Sequence, residues 1–590
     1  MSMSKMSYLL LETVGDDKGV VAEVDVTPEC EHELAGYEVE GLRSDSSGQV
    51  GRIVGCASSM SLAESQKGED REGNLAHLGQ MLTVAARRRV EKWREFMLDD
   101  PGAQRALHAV AIQSFWSDLP DLIPLIKCLP EDAWAVDKRS GLLRIVRSLS
   151  PEDWNSFLKY SVHVRYLGFR DAPTKCRLDD RVVTMVSMYR PALVLLPRLL
   201  AVRIRALSLR DSDIPAVLGW IGPQLKEISM HWGLEDDPEQ HLQTCMSVIS
   251  NRFSSLEDFQ LYCKNRPLVC RLIPVSFTEQ LRNLRMFRTY KLPISKYALR
   301  SLGRLQNLTV MAIYLPAFLS PELLGPESFP ALCEIRITAL TRAYFAFANA
   351  VAMLPQVKVA HIDLRDVPKP EEGLRLFDLV CTQFSCTGIV ELFICSNEDA
   401  CSRRRRPPAL TVNHPHLRRL LCFAALTELN VNLACSYALD GDLCLEIAKA
   451  FPEIQSLHIG DYDWCYYEYP SIIVPPMTHV LAPFATHCPH LTSLGIPFDA
   501  RESLSLQDVK DALPDRPSRS QVWHLNCSHC PIEDDQTVAA YLRAVTTWSD
   551  FGADMPSLRW KDKWYEVRRL LPWFKVIRDD EAATTEEPED

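Results

Sequence analysis

Apolar residues return along this chain in one figure: an apolar position, two others, an apolar position, one other, and a third apolar position. It stands at Val164/Leu167/Phe169, Leu199/Val202/Ile204, Leu225/Ile228/Met230, Leu256/Phe259/Leu261 and Leu284/Phe287. It continues at Leu308/Met311/Ile313, Leu332/Ile335/Ile337, Val359/Ile362/Leu364, Ile389/Leu392/Ile394 and Leu426/Leu429/Val431. Ile454/Leu457/Ile459, Leu491/Leu494/Ile496 and Val522/Leu525/Cys527 complete thirteen units, whose first anchors run from 164 to 522 at a mean spacing close to 30 residues. The fifth unit is imperfect, with Thr289 in the third apolar place.

The last two anchors of a unit are two apart, so they point to one side of a short strand and the residue between them points to the other. The stretches between strands carry a helical period. Leu443, Ile447 and Phe451 lie at i, i+4 and i+8, with Asp442 placed to cap the start. Cys245, Val248, Ile249 and Phe253 behave likewise, as do Phe345, Phe347, Val351 and Leu354. Each unit therefore reads helix, turn, strand. One such unit buries too little apolar surface to offset the backbone entropy of ordering it, so neighbours must stack. The expected fold is α/β: a leucine-rich-repeat solenoid, or horseshoe, with parallel strands on its concave side, preceded by a helical segment and bounded by disordered acidic termini. A doubly wound α/β enzyme shares the alternation, but the strands are very short and no glycine-rich phosphate loop follows any of them.

Charge separates the ends from the body. The formal net charge of −12 divides into −9 for residues 1–75, −7 for residues 579–590 and +4 for everything between. Division by composition and pattern gives an acidic arm at 1–73, a helical segment at 74–160, the repeat array at 161–530, a C-terminal cap at 531–578 and an acidic tail at 579–590. A near-neutral body offers no basic face to nucleic acid. The exception is Arg403-Arg404-Arg405-Arg406 before Pro407-Pro408, which reads either as an exposed loop between repeats or as an import signal or RNA-contacting patch. No stretch approaches 18 consecutive apolar residues, and the 19 cysteines are scattered, so the expectation is a soluble cytoplasmic or nuclear chain with buried thiols.

Signatures of chemistry are few. G-x-x-x-x-G-K-[ST], G-x-G-x-x-G, H-E-x-x-H and G-x-S-x-G do not occur. Cys527-Ser528-His529-Cys530 is a single C-x-x-C without the second pair of a structural zinc site, and Cys527 doubles as a strand anchor. His487, Cys488 and His490 flank Pro489 at a helix-to-strand turn, and Cys30 and His32 lie in the acidic arm. No catalytic residue, metal or cofactor is expected, and the chain reads as no enzyme. Candidate binding residues are the strand positions between anchors, such as Arg336, Asn430 and His458, together with Tyr462, Trp464, Tyr466 and Tyr467 after the Ile454/Leu457/Ile459 strand. Tyr469 belongs to the same cluster, and tyrosine and tryptophan are enriched at binding hot spots. Trp560, Trp564 and Trp573 are placed to cover the open end of the last repeat.

Ahead of the array, Asn74 caps a helical face of Leu75, Leu78, Leu82, Ala85, Trp93 and Phe96, and Pro101-Gly102 breaks it. Ser150 caps a later helix with Pro151 at its first position and Asp153 complementing the dipole. The run Phe115-Trp116-Ser117-Asp118-Leu119-Pro120-Asp121-Leu122-Ile123-Pro124-Leu125, then Pro151-Glu152-Asp153-Trp154 with Phe157, Tyr160, Val164, Arg165 and Leu167, resembles the F-box/leucine-rich-repeat proteins abundant in mushroom-forming fungi. His487 to Leu494, Phe498-Asp499-Ala500 and the ending Trp564-Tyr565-Glu566-Val567 with Leu570 to Phe574 carry the same likeness, which spans about residues 105–578. Residues 74–114 lack the Leu-Pro pair with which an F-box usually opens. The resemblance implies a substrate receptor of an SCF-type ubiquitin ligase, its N-terminal helices tethering a Skp-type adaptor and its concave sheet holding a protein target. The alternative is a repeat scaffold with no ubiquitin role.

Overall fold

The computed structural model describes residues 39–44, 50–55 and 112–572, with breaks at 170–175, 208, 233–237, 264–272, 318–323, 326, 352, 397–409, 461–473, 502–523, 528–529, 546–559 and 561. Fourteen strands form one sheet in which spatial order follows chain order throughout. They are β1 (Asp118–Leu119), β2 (Tyr166–Leu167), β3 (Ala201–Arg203), β4 (Glu227–Trp232), β5 (Asp258–Cys263), β6 (Met286–Pro293) and β7 (Val310–Tyr314). Then come β8 (Glu334–Ala339), β9 (Val359–Leu364), β10 (Glu391–Ser396), β11 (Glu428–Asn432), β12 (Ser456–Ile459), β13 (Ser493–Gly495) and β14 (His524–Leu525). Every neighbouring pair is parallel. Helices such as Pro238–Arg252, Thr341–Ala350, Pro370–Gln383 and Gly441–Ala450 make the return crossings. A helix is about 10–12 Å across while strands lie about 4.8 Å apart, so stacking forces the sheet side inward and makes it concave.

Period two explains the strands. β4, β5, β9 and β10 all alternate half-buried and buried, and the buried positions meet the helices. In register across the sheet, Leu167, Val202, Ile228, Phe259, Phe287, Met311 and Ile335 form one continuous buried row. It runs on through Ala360, Leu392, Leu429, Leu457, Leu494 and Leu525. A single apolar core extends from Leu119 to Leu571.

Three sequence expectations shift. The eighth unit is not Val359/Ile362/Leu364: Ala360 pairs with Ile335 and Leu392, so its anchors are Val357, Ala360 and Ile362. A slip of two keeps every side chain on its own face, and hydrophobicity alone does not resolve it. Phe169 is not a third anchor, because the chain leaves β2 at Gly168 (φ 85°) and Phe169 lies half-exposed beneath the Arg203 guanidinium, 4.3 Å from the ring centroid. The cap of the Gly441–Ala450 helix is Asp440, whose Oδ1 accepts from the Leu443 amide at 2.9 Å, and Asp442 sits inside the first turn.

The sheet also begins one strand before the first apolar figure, at Asp118–Leu119 beside Tyr166–Leu167. The segment read as helical at 74–160 contains a short sheet, Trp134–Val136 antiparallel to Leu142–Ile145, which pairs with Arg177–Leu178. Within the acidic N-terminal stretch, Val39–Ser44 pairs antiparallel with Val50–Gly55, separate from the large sheet. The helical stretch expected over 74–111 and Trp573 lie outside the described residues.

Ladders of backbone hydrogen bonds tie together the turns into the strands. Lys358 N donates to Cys333 O, Val390 N to Lys358 O and Thr427 N to Val390 O, at 2.8, 2.8 and 2.9 Å. Hydroxyls of Thr309, Thr427 and Thr492 add bonds to Arg285 O, Val390 O and Gln455 O at 3.1, 3.3 and 2.9 Å. Ser150 stands at the N-cap as expected, its amide donates to Asp153 Oδ2 at 2.8 Å, and Arg147 clamps the same carboxylate at 2.6 Å. That clamp holds Asp153 below the ordinary carboxylate range, at about 2. At the far end Trp564 is buried, donates to Cys530 O at 2.9 Å and meets Phe498 edge-on.

Candidate functional site

The open face of the sheet presents three rows, set by the positions that alternate with the buried anchors. Its middle row contains Arg336, His361, Phe393, Asn430 and His458 on five consecutive strands, each beside the next. The three strand residues expected from the sequence are thus brought onto one line. His361 and Phe393 lie between them, and the same between-anchor position identifies Phe393 directly. His361 was hidden by the two-residue slip in the eighth unit. Tyr462, Trp464, Tyr466 and Tyr467 lie outside the described residues.

Stacking and ion pairs hold the middle of this line. The His361 and Phe393 rings are parallel, 4.0 Å between centroids and 9° between planes. Arg336 Nε donates to Glu334 Oε1 at 2.9 Å, and Arg288 Nη2 reaches the same oxygen at 3.4 Å. His361 is pushed down to about 4 by burial and by the Arg336 charge, against the opposing pull of Glu334. It is therefore neutral near pH 7, and its Nε2 finds no partner among the described residues. Farther on, Asn432 Nδ2 donates to Asn430 Oδ1 at 2.7 Å, and His458 Nε2 shares a hydrogen bond with Ser493 Oγ at 2.9 Å.

A second row, one position before the middle anchors, is rich in acids: Glu227, Asp258, Glu334, Glu391 and Glu428. Burial raises Glu227, Asp258 and Glu391, and the neighbouring carboxylates push the same way: Asp258 on Glu227, Glu257 on Asp258, Glu428 and Glu334 on Glu391. The third row begins with rings. His231 and Tyr262 lie 5.0 Å apart, Tyr262 and Tyr290 5.9 Å, and Arg365 stands 5.0 Å over the Tyr314 ring. Nothing in the local sequence announces these rows, because their members are about 30 residues apart and only the register aligns them.

The other chemical motifs are accounted for by packing. Cys527 and Cys530 are buried, and burial lifts the Cys527 thiol well above its ordinary value. Cys488 is buried, pushed up to about 12, and donates to Ala448 O at 3.4 Å. His490 pairs with Glu453 at 3.7 Å. Cys30, His32 and Arg403–Arg406 lie outside the described residues. Among the described residues no group of three or more His, Cys, Asp or Glu could hold a metal ion, and no helix is long and apolar enough to cross a membrane.

A sequentially ordered parallel sheet with helical returns defines the chain as an α/β solenoid of the leucine-rich-repeat kind. No protein-family model matches the sequence, and no curated protein matches it. Solved structures do match. The crystal structure of a TLR13–ssRNA13 complex aligns at 13% identity and TM-score 0.30, covering 69% of this chain and 61% of that one. The Rad7–Elc1 complex from yeast aligns at 9% and 0.27, covering 60% and 83%. The leucine-rich-repeat ectodomain of the Arabidopsis thaliana receptor kinase GASSHO1/SCHENGEN3, in complex with CASPARIAN STRIP INTEGRITY FACTOR 2, aligns at 11% and 0.23, covering 68% and 57%.

Proposed function

We propose that the chain is a non-enzymatic recognition protein whose concave sheet holds a protein partner. One observation carries this: five consecutive strands present Arg336, His361, Phe393, Asn430 and His458 as a continuous line of mixed chemistry. Rings, amides and paired charges suit a polypeptide surface. The acidic row alongside repels a polyanion, which favours protein over nucleic acid. The test places a photo-crosslinking phenylalanine analogue at Asn430 in the full chain, with Lys449 on the helical side as the control. Expected are protein crosslinks at Asn430 that unlabelled full chain competes away and that Phe393→Asp abolishes. Crosslinks no stronger than at Lys449, or crosslinked material destroyed by nuclease, overturn the reading.

The finer reading, a substrate receptor of an SCF-type ubiquitin ligase, is supported by the resemblance between residues 115 and 167. There Trp116 stacks on Tyr160 at 4.6 Å and Trp154 is fully buried. The full chain should then retain a Skp-type adaptor at micromolar concentration. Failure to retain it removes the ligase role, favours the scaffold alternative, and leaves the recognition face standing.

A further inference from the structure

The strands of the sheet change their charge along the arc. From β3 to β8 they hold Glu227, Asp258 and Glu334 among Arg203, Arg288, Lys291 and Arg336. From β9 to β14 they hold Asp363, Glu391 and Glu428 and no lysine or arginine. Carboxylates of the first half have cations at hand: the Arg203 charge acts on Glu227, those of Arg285 and Arg288 act on Asp258, and Arg288 and Arg336 both reach Glu334. In the second half, Asp363 accepts from Thr338 Oγ1 at 3.4 Å and feels the Arg365 charge. Glu391 and Glu428 stand side by side in register, and among the described residues neither carboxylate has an ion-pair partner. Two residues on from Glu391 is Phe393, half-buried, with His361 covering one ring face and no cation of the described residues over it. Other rings of this face do carry a guanidinium: Arg203 stands over Phe169 at 4.3 Å, and Arg365 over Tyr314 at 5.0 Å.

We propose that the partner held on the concave face presents a basic stretch of polypeptide, with one arginine or lysine side chain set between Glu391 and Glu428 and against the Phe393 ring. This chemistry rests on the recognition role proposed above for that face. Neighbouring strands lie about 4.8 Å apart and alternate residues of one strand about 6.6 Å apart, so a single cationic group can touch both carboxylates and the ring. A partner that covers Phe393 and Asn430 also strips water from Glu391 and Glu428, which lie in the adjoining row. A neutral or acidic surface there leaves two like charges dehydrated and unpaired, which is strongly unfavourable. A cation removes that penalty, and the ring adds a cation–π contact. The two carboxylates thus select a basic partner by rejecting the others as well as by attracting it. A metal ion is a poorer occupant, because among the described residues no third ligand joins the pair.

The test measures fluorescence anisotropy of a labelled octapeptide of alternating arginine and serine with the full chain, at neutral pH and about 150 mM salt. A second peptide has citrulline, of the same shape but uncharged, in place of each arginine. The arginine peptide should bind at least about tenfold more tightly than the citrulline one, and Glu391→Gln with Glu428→Gln should remove that advantage. This double variant should keep the urea midpoint, since it only relieves a repulsion between like charges. Phe393→Leu should weaken binding about threefold. Glu227→Gln with Asp258→Asn, in the half that carries its own cations, should leave the affinity unchanged. An affinity indifferent to Glu391→Gln with Glu428→Gln assigns the peptide to the acidic ends of the chain and overturns the proposal, as does equal binding of the two peptides. Binding that emerges only when Arg403 to Arg406 are all replaced by serine gives the strip to the chain's own arginines and overturns it too. If Asn430 still crosslinks to protein in any of these cases, the basic character of the partner is refuted and the recognition face stands.

Discussion

The middle of the sheet and its N-terminal end obey the same apolar figure and yet differ. β8 to β10 are six residues long and alternate regularly, while β2 and β3 hold only two and three residues. In the middle, the third anchors Ile337, Ile362 and Ile394 are buried and in register. At the N-terminal end Gly168 turns the chain at positive φ, and Phe169 faces Arg203 instead of the core. A strand flanked by two long neighbours is paired along its full length, whereas β2 has only the two-residue β1 on one side. The figure therefore sets which residues want burial, and the neighbours set how many are paired.

The largest expected effect tests the face assignment in the regular region. Leu457→Asp buries an unpaired charge at a fully enclosed anchor and should cost upwards of about 4 kcal/mol, unfolding the array. His458→Ala, one residue along on the open face, removes a half-buried ring hydrogen-bonded to Ser493 and should cost about 1 kcal/mol or less. Circular dichroism with urea titration decides, and the reverse ranking would refute the register.

A smaller contrast compares third anchors across the two regions. Ile337→Ala leaves a hole in a sealed core and should cost about 2–5 kcal/mol. Phe169→Ala loses a half-exposed ring and its contacts with Arg203 and Tyr166, and should cost about 1 kcal/mol. Equal losses in urea denaturation would put Phe169 back among the anchors.

The smallest effect is a pH slope confined to the middle. His361 is held near 4 in the folded chain against an ordinary value of about 6.5. Below pH 6.5 the unfolded chain takes up the proton first, so this residue's contribution to stability falls as pH drops from about 6.5 to about 4 and is level below that. The charged groups facing it are Arg336 and Glu334 on the adjoining strand, and Phe393 covers the other side. His361→Phe should flatten the decline in unfolding midpoint between pH 7 and pH 5. An unchanged slope would mean that the ring titrates as it does in water.

Much of the fold was legible because the core-facing residues repeat locally. Leu225, Ile228 and Met230 announce a strand and its inward face without reference to any other unit, and the helix around Leu443 and Ile447 announces itself by its own period. Less of the candidate face was legible. Arg336, Asn430 and His458 could be named from parity, but His361 required the register of β9 against β8 and β10. The first strand, Asp118–Leu119, is too short to carry any pattern, and only its pairing with Tyr166–Leu167 marks it as a strand.

By itself the chain determined the kind of unit, its period of about thirty residues, and which side of most strands turns from water, since burial of apolar surface needs only spacing within a few residues. Tertiary structure alone decided what stands beside what: the His361–Phe393 stack and the row of carboxylates. The physical reason is that residues some thirty positions apart become neighbours only when backbone hydrogen bonds between strands select one alignment. A shift of two residues leaves every side chain on its proper face and changes all of those encounters.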